Sequence, residues 1–393
     1  MGRLPLPTGA YNIGRVSFSF EDQTRIEPLD PGRSARRIAV DVWYPAERGA
    51  SGSRPARYLD VAAFERVIGA EGLKKQLGEA SDRVAAGVAT HATEDAPFAS
   101  SLGLAPVLLF SPGGGMIREL YTAQMEELAS HGYIVAAMTH SYDGFLSIFP
   151  DGSSIAYDSR RWPAIPSFEG VADLNQLEWH TDDILVVLNE LTRLNAAPQA
   201  AAPFAGHLDL ARVGAFGHSF GGVAAAHACQ RDNRIRACLN EDGSVAMKPF
   251  YLDARGWGMD QPFLLLERPP NTAPLTDADL AQMHVTLERA KEVVARLNED
   301  RDRALRSTGT GSYRVLLRRD DTTHMDFSDL RVLSAKDDEE LEQRMHVLAA
   351  IRSYTLAFFD RYLRGAEAPL LDSAKTDPLI QAVMKFAPGK RPE

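Results

Sequence analysis

The stretch "FGHSFGG", residues 216–222, decides how this chain is read. An apolar run, "ARVGAFG" (211–217), leads into it, and a small-residue run, "VAAAHA" (223–228), leads out. A serine therefore sits where a strand gives way to a helix, with a glycine two residues to either side. Gly217-His218-Ser219-Phe220-Gly221 is a G-x-S-x-G pattern. Between strand and helix, that pattern builds a sharp turn that lifts the serine hydroxyl above the end of a sheet. The glycines are needed because the turn packs against neighbouring backbone, where a Cβ would clash. A glycine turn that merely opens a helix is the plainer alternative, and the flanking strand and helix favour a nucleophile.

A serine at its free pKa needs a base. Where a nucleophile sits on such an elbow, the chain order is serine, acid, histidine. Of ten histidines, only His284, His324 and His346 follow residue 242. His284 falls in a charged helical stretch and His346 in the C-terminal helical pattern. His324 lies in the polar loop "RDDTTHMDF" (319–327), past the apolar strand "YRVLLR" (313–318). It is the candidate base. For the acid, two strands end in carboxylates: "LNEDGS" (239–244) offers Glu241 and Asp242, and "PFLLLER" (262–268) offers Glu267. The residues alone leave these open. Asp320 and Asp321 are too near His324 to sit behind its ring. The oxyanion needs two backbone N–H donors, one from Phe220 and one from an earlier strand-end loop. "FSPGGGM" (110–116) fits that loop. A phosphate cradle is the rival, but the run lacks the Lys-Ser/Thr ending of a P-loop.

The surrounding pattern supplies a scaffold. "VSFSFED" (16–22) and "RRIAVDVWYP" (36–45) alternate apolar and polar residues and read as an antiparallel hairpin. Beyond it, continuous apolar runs at 106–110, 133–138, 211–217, 235–240, 262–267 and 313–318 alternate with helical patterns, among them 171–195, 219–230 and 347–363. This predicts an α/β fold, a mostly parallel sheet of about eight strands flanked by helices. Two stretches break the alternation: about 50–103 and 274–308. They are expected to be helical insertions forming a cap or lid on a single domain, the second with Met283, Leu287, Ala290, Val294, Leu297 and Ala304 on a buried stripe.

Composition limits the alternatives. The 393 residues are 45% hydrophobic and 24% charged, with a formal net charge of −10, which offers no basic footprint for nucleic acid. No apolar run approaches the length of a membrane helix, and no secretory leader is visible at the start. Cys229 and Cys238 are expected to be reduced, buried thiols, which points to a cytoplasmic location, with a mature secreted form as the alternative. No cofactor or metal is expected, and a small-molecule ester is the expected partner.

"PVLLFSPGGGMIRELYTAQMEELASHGYIVAAMTH" (106–140), "VGAFGHSFGG" (213–222), "LNEDGS" and "HMDFSDL" (324–330) together resemble the platelet-activating factor acetylhydrolase family of α/β-hydrolases, in its plasma/isoform II branch and bacterial relatives. The resemblance runs from "VDVWYP" (40–45) to "FFDRYLRG" (358–365). It implies a serine esterase acting on short-acyl esters through an acyl-enzyme, with Ser219 as nucleophile, Asp242 as acid, His324 as base, and Gly114 and Phe220 as oxyanion donors. Pro112-Gly113 stands where animal members carry a His-Gly pair. Hydrolysis of bulkier esters or polyesters, as in lipases and cutinases, is the alternative activity. A non-catalytic binding protein on the same fold is the alternative class.

Overall fold

The computed structural model describes residues 2–47, 54–161, 174–197, 202–244, 258–269, 276, 286–318, 320, 322–372 and 377–387. Its centre is a ten-stranded sheet. The strands are β1 (Asn12–Ile26), β2 (Ala35–Ala46), β3 (Ala92–Glu94), β4 (Ala105–Ser111), β5 (Ile134–His140), β6 (Leu208–His218), β7 (Ile235–Glu241), β8 (Phe263–Glu267), β9 (Ser312–Leu317) and β10 (Ile380–Phe386). They lie in the order β10-β9-β8-β7-β6-β4-β5-β2-β1-β3. From β5 to β9 every neighbouring pair is parallel. β2 pairs antiparallel with β1 and β5, and β10 pairs antiparallel with β9.

The eight expected strands are all present, and the count is corrected to ten by one strand at each edge. β3 has three residues, too short to show a period, and β10 is half-exposed over most of its length, so neither carries the apolar signature of a central strand.

Central strands are buried on both faces, so their side chains divide between two cores. In β4, Leu108 and Phe110 join one core, while Val107 and Leu109 join the other. Helices α1 (Val61–Leu77), α2 (Thr122–Ser130) and α6 (Asp338–Arg364) cover the first face; α3 (Leu174–Ala196), α4 (Phe220–Arg231) and α5 (Leu287–Arg306) cover the second. Fully burying one such aliphatic or aromatic side chain is worth about 1.5–3 kcal/mol. The elements also carry local stop and start signals: Asp337 caps α6 by accepting from the Glu340 N–H at 2.8 Å, and Gly365, at φ 69°, ends it in the left-handed region.

The structure describes part of each stretch expected as an insertion. Within 50–103, residues from 54 onward form α1, a short helix at Ser81–Ala85 and the edge strand β3. Within 274–308, Met283 and His284 lie outside the described residues. The described helix, α5, is the crossover that lets β9 run parallel to β8, a connection two parallel strands require. It buries Ala290, Val293, Ala304 and Leu305, whereas Leu287 and Val294 are exposed. Of the expected stripe, Ala290 and Ala304 are therefore buried and Leu287 and Val294 are not. Among the described residues no helix is long and apolar enough to cross a membrane.

A second correction concerns the cysteines. Cys229 and Cys238 are joined in a disulfide, with Cα atoms 6.5 Å apart and both side chains buried. The bridge ties the end of α4 to the middle of β7, which pack together in the second core. Sequence spacing does not show that packing, so two cysteines nine apart read as independent thiols. The cytoplasmic expectation rested on reduced thiols and loses that basis. Closing so short a loop should stabilise the fold by about 2–3 kcal/mol. Denaturant titration of the Cys229→Ala/Cys238→Ala variant should show a loss of that size. A midpoint unchanged from wild type would mean that the bridge adds nothing.

Candidate active site

Strand β6 delivers Ser219 to the carboxyl edge of the sheet, and α4 starts at the next residue. Ser219 has φ 54° and ψ −124°, a conformation L side chains rarely adopt. Such a residue costs on the order of 1–3 kcal/mol, so its surroundings must over-determine it. They do. The Ser219 N–H donates to the Glu241 carbonyl at 2.7 Å, and the Gly222 and Val223 N–H groups donate to the Ser219 carbonyl at 3.0 and 3.3 Å. A Cβ on Gly217 would run into the Ser111 carbonyl, and one on Gly221 into the carbonyls of Ser111 and Pro112. Both elbow glycines are thus fixed by the approach of β4.

The structure brings Ser219, His324 and Asp242 into one hydrogen-bonded line. His324 Nε2 is 2.9 Å from Ser219 Oγ, and His324 Nδ1 is 2.6 Å from Asp242 Oδ2. An ionised carboxylate only accepts, so Nδ1 carries the proton and Nε2 presents its lone pair to the serine hydroxyl. Asp242 follows β7, is itself at φ 54°, and donates its N–H to Leu266 O at 2.8 Å. Arg268 holds it from the other side: its N–H donates to Oδ1 at 2.9 Å and its Nε–H to Oδ2 at 3.0 Å. Burial works to raise the pKa of Asp242. The His324 hydrogen bond and the Arg268 contacts outweigh burial and lower it below the ordinary value.

The other carboxylates go elsewhere. Glu267 accepts from Arg314 Nε at 2.6 Å, within β8 and β9, and does not meet His324. Glu241 points into the first core, where Gln124 Nε2 and Thr355 Oγ1 donate to it at 3.3 and 3.2 Å. No cation pairs with it there among the described residues, and burial pushes its pKa up to about 8. Adjacent residues on one strand end thus carry opposite protonation states at neutral pH.

Phe220 opens α4 directly after Ser219. Gly114 lies in the loop after β4 and, with Gly115, Phe145, Tyr157 and Gln76 of α1, lines a cavity of about 410 Å³. The glycine loop is pinned through Tyr121, whose hydroxyl accepts from the Gly113 N–H at 3.3 Å and donates to His218 Nδ1 at 2.9 Å. The His218 ring lies 4.5 Å from that of His324 and stacks on Phe327. Burial, then the nearby His324, push its pKa down to about 3, so it stays neutral. A cavity of about 520 Å³ lies over β1 and β2, among Arg15, Asp41, Arg118 and Glu119. Ser219, His324 and Asp242 line neither of these cavities.

Sequence reasoning missed Arg268, His218 and Tyr121. Arg268 had a signal, since it follows the carboxylate at the end of β8. His218 fills a variable position of the motif, and Tyr121 lies on a helical stripe with nothing local to mark it.

Two outcomes follow from these charges. Folded Glu241 keeps its proton to about pH 8, whereas the unfolded chain releases it near 4.5. Its contribution to stability is full below 4.5 and is lost as pH rises through about 8. Glu241→Gln keeps the shape and removes the titration. Its urea midpoint should therefore gain on wild type across that window, by about 1 kcal/mol per pH unit. Parallel midpoints would mean that Glu241 is ionised in the fold. Arg268→Gln removes a cation that favours ionised Asp242. The acid limb of kcat/KM should move to higher pH by roughly one unit, and an unmoved limb would deny Arg268 that influence.

Residues 3–149 match the family described as platelet-activating factor acetylhydrolase, isoform II. A fungal protein from Arthroderma benhamiae, named as a probable 1-alkyl-2-acetylglycerophosphocholine esterase, is 27% identical over 278 residues, covering 66% of this chain and 64% of its own length. The platelet-activating factor acetylhydrolase of Cavia porcellus is 28% identical over 150 residues, 35% of this chain and 34% of its own. The chain therefore spans less than two thirds of these relatives. In solved structures, a ferulic acid esterase from Streptomyces cinnamoneus superposes with a TM-score of 0.72 at 26% identity, covering 97% of this chain and 99% of that one. Elbow, sheet order and structural neighbour agree on an α/β-hydrolase fold, and residues 3–149 are similar to the platelet-activating factor acetylhydrolase, isoform II family.

Proposed function

We propose that the chain is a serine carboxylic-ester hydrolase acting on short-acyl esters through an acyl-enzyme on Ser219. The observation that carries this reading is the continuous line from Asp242 Oδ2 through His324 to the hydroxyl of a serine on a strained elbow. The steps follow from that order. Ser219 Oγ attacks the ester carbonyl carbon while its proton passes to His324 Nε2. Asp242 holds the tautomer and stabilises the imidazolium. The N–H groups of Phe220 and Gly114 donate to the oxyanion. Collapse of the tetrahedral intermediate expels the alkoxide, which takes the proton from His324 and leaves as alcohol. Water then attacks the acyl-enzyme, gives its proton to His324, and the acid is released with Ser219 restored.

A bulkier substrate is the second reading, and the cavity walls favour it. Phe145 and Tyr157 line the same cavity as Gly114, so an aromatic acyl or alcohol group there would lie against rings beside the proposed oxyanion loop. The bacterial structural neighbour, a ferulic acid esterase, agrees with this. Because Gln76 belongs to α1, the first expected insertion would act as a partial cap over the cavity.

A chain-length series of p-nitrophenyl esters, run beside a phospholipid with a short sn-2 acyl group and methyl ferulate, separates the readings. Highest kcat/KM on acetate and butyrate esters supports the first; preference for ferulate supports the second. Ser219→Ala should abolish turnover, with a loss on the order of 10⁴–10⁶. Asp242→Asn should lose roughly 10²–10⁴ and Glu267→Gln little. Phosphonate labelling of a different serine would sink the assignment, and wild-type protein inert on every ester would favour a binding role.

A further inference from the structure

We propose that a second, buried serine–histidine–aspartate line, Ser111–His140–Asp183, is the frame that fixes the oxyanion loop against the nucleophile elbow. The proposal rests on the esterase reading above. Ser111 ends β4, one residue before Pro112-Gly113-Gly114. Its hydroxyl lies 2.9 Å from His140 Nε2, and His140 Nδ1 lies 2.8 Å from Asp183 Oδ2. Asp183, on α3, also accepts from Arg36 Nε at 2.9 Å, Arg36 Nη2 at 2.6 Å and Arg25 Nη2 at 2.7 Å. With the carboxylate accepting at Nδ1, the Ser111 hydroxyl donates to Nε2.

The array has the connectivity of a catalytic triad and lacks its access. Ser111, His140 and Asp183 are each 0% exposed. Ser111 lies in regular strand and not on a strained turn. Burial, then the neighbouring His180, push the pKa of His140 down to about 4, so it makes a poor base at neutral pH. Asp183, despite burial, is held well below the ordinary carboxylate range, first by Arg36.

Its position is what assigns the role. The Ser111 carbonyl is the atom that forbids a Cβ on Gly217 and Gly221, so β4 ends directly under the elbow. The His140 ring stacks on His180 at 3.7 Å, and the His180 ring meets the edge of Phe220 at 4.9 Å. One arm of the array therefore ends three residues before Gly114, and the other packs against Phe220. Both proposed oxyanion donors hang from one rigid, charge-anchored cluster. Ser111 and His140 are positioning residues, since neither touches substrate.

The test uses Ser111→Ala, a small change in a buried strand, and His140→Asn, which has no acceptor where Nε2 stands. Each should lower kcat roughly tenfold to a hundredfold, less than outright loss of an oxyanion donor, with KM within about twofold. Affinity for a short alkyl boronic acid, read by calorimetry, should fall in parallel, and the acid limb of the pH profile should stay in place. The double variant should be no worse than the worse single one. Unchanged kcat and boronate affinity with a lowered melting temperature would overturn the proposal, as would an effect confined to KM. Ser219→Ala tests the esterase reading separately, and boronate affinity still judges the frame if no ester is turned over. A wild-type protein that does not bind the boronate would overturn both.

Discussion

The left-handed backbone of Ser219 is the constraint on which the rest of the site depends. That turn exposes the hydroxyl, and it is stable only because three strands converge on it. β7 accepts its N–H through the Glu241 carbonyl, and β4 presses the Ser111 and Pro112 carbonyls against Gly217 and Gly221. The strain is therefore sustained by the sheet and not by the turn. Neighbouring parallel strands put their carboxyl ends at one edge, so the same geometry carries Asp242 and Arg268 to the site from β7 and β8. The disulfide between α4 and β7 reinforces this junction, because it joins the helix that follows Ser219 to the strand that precedes Asp242.

Charge is handled differently on the two faces of the sheet. On the α3 and α4 side, Asp183 is ionised and surrounded by guanidinium groups, with Arg25, Arg36 and Arg161 also gathered over the Trp179 ring. On the α2 and α6 side, Glu241 is buried with neutral donors and keeps its proton. Burying a charge is tolerated where partners surround it, and otherwise the group neutralises. Asp242 lies between these cases: largely buried, yet held ionised by His324 and Arg268.

What the sequence shows and what it hides divide along the same physical line. The elbow is legible because strand, glycines and small-residue helix are contiguous, and His324 because chain order and a loop position single it out. The choice among Glu241, Asp242 and Glu267 is not legible from the residues, since each ends an apolar strand. Only the family resemblance pointed to Asp242. The structural reason is tertiary: strand alternation turns Glu241 into the first core, the left-handed backbone of Asp242 turns it out toward His324, and Arg314 occupies Glu267. Edge strands, the disulfide, and the Ser111–His140 contact join segments whose local patterns say nothing of one another. The α5 stripe was legible only in part: Ala290 and Ala304, both on the expected stripe, do the packing, while the larger Leu287 and Val294 face water.

His324 sits at the rim, with 39% of its side chain exposed, while Asp242 behind it is 9% exposed. On the proposed reading, the proton-transfer end of the line therefore opens to solvent, and no relay through the protein is needed to recharge it. For an acyl-enzyme on Ser219, that openness has a chemical cost. Whatever nucleophile reaches the ring can take the place of water, so dissolved alcohols compete for the acyl group in proportion to their concentration. On the reading proposed for this chain, the exposed imidazole makes partition between hydrolysis and transesterification a property of the medium rather than of the fold.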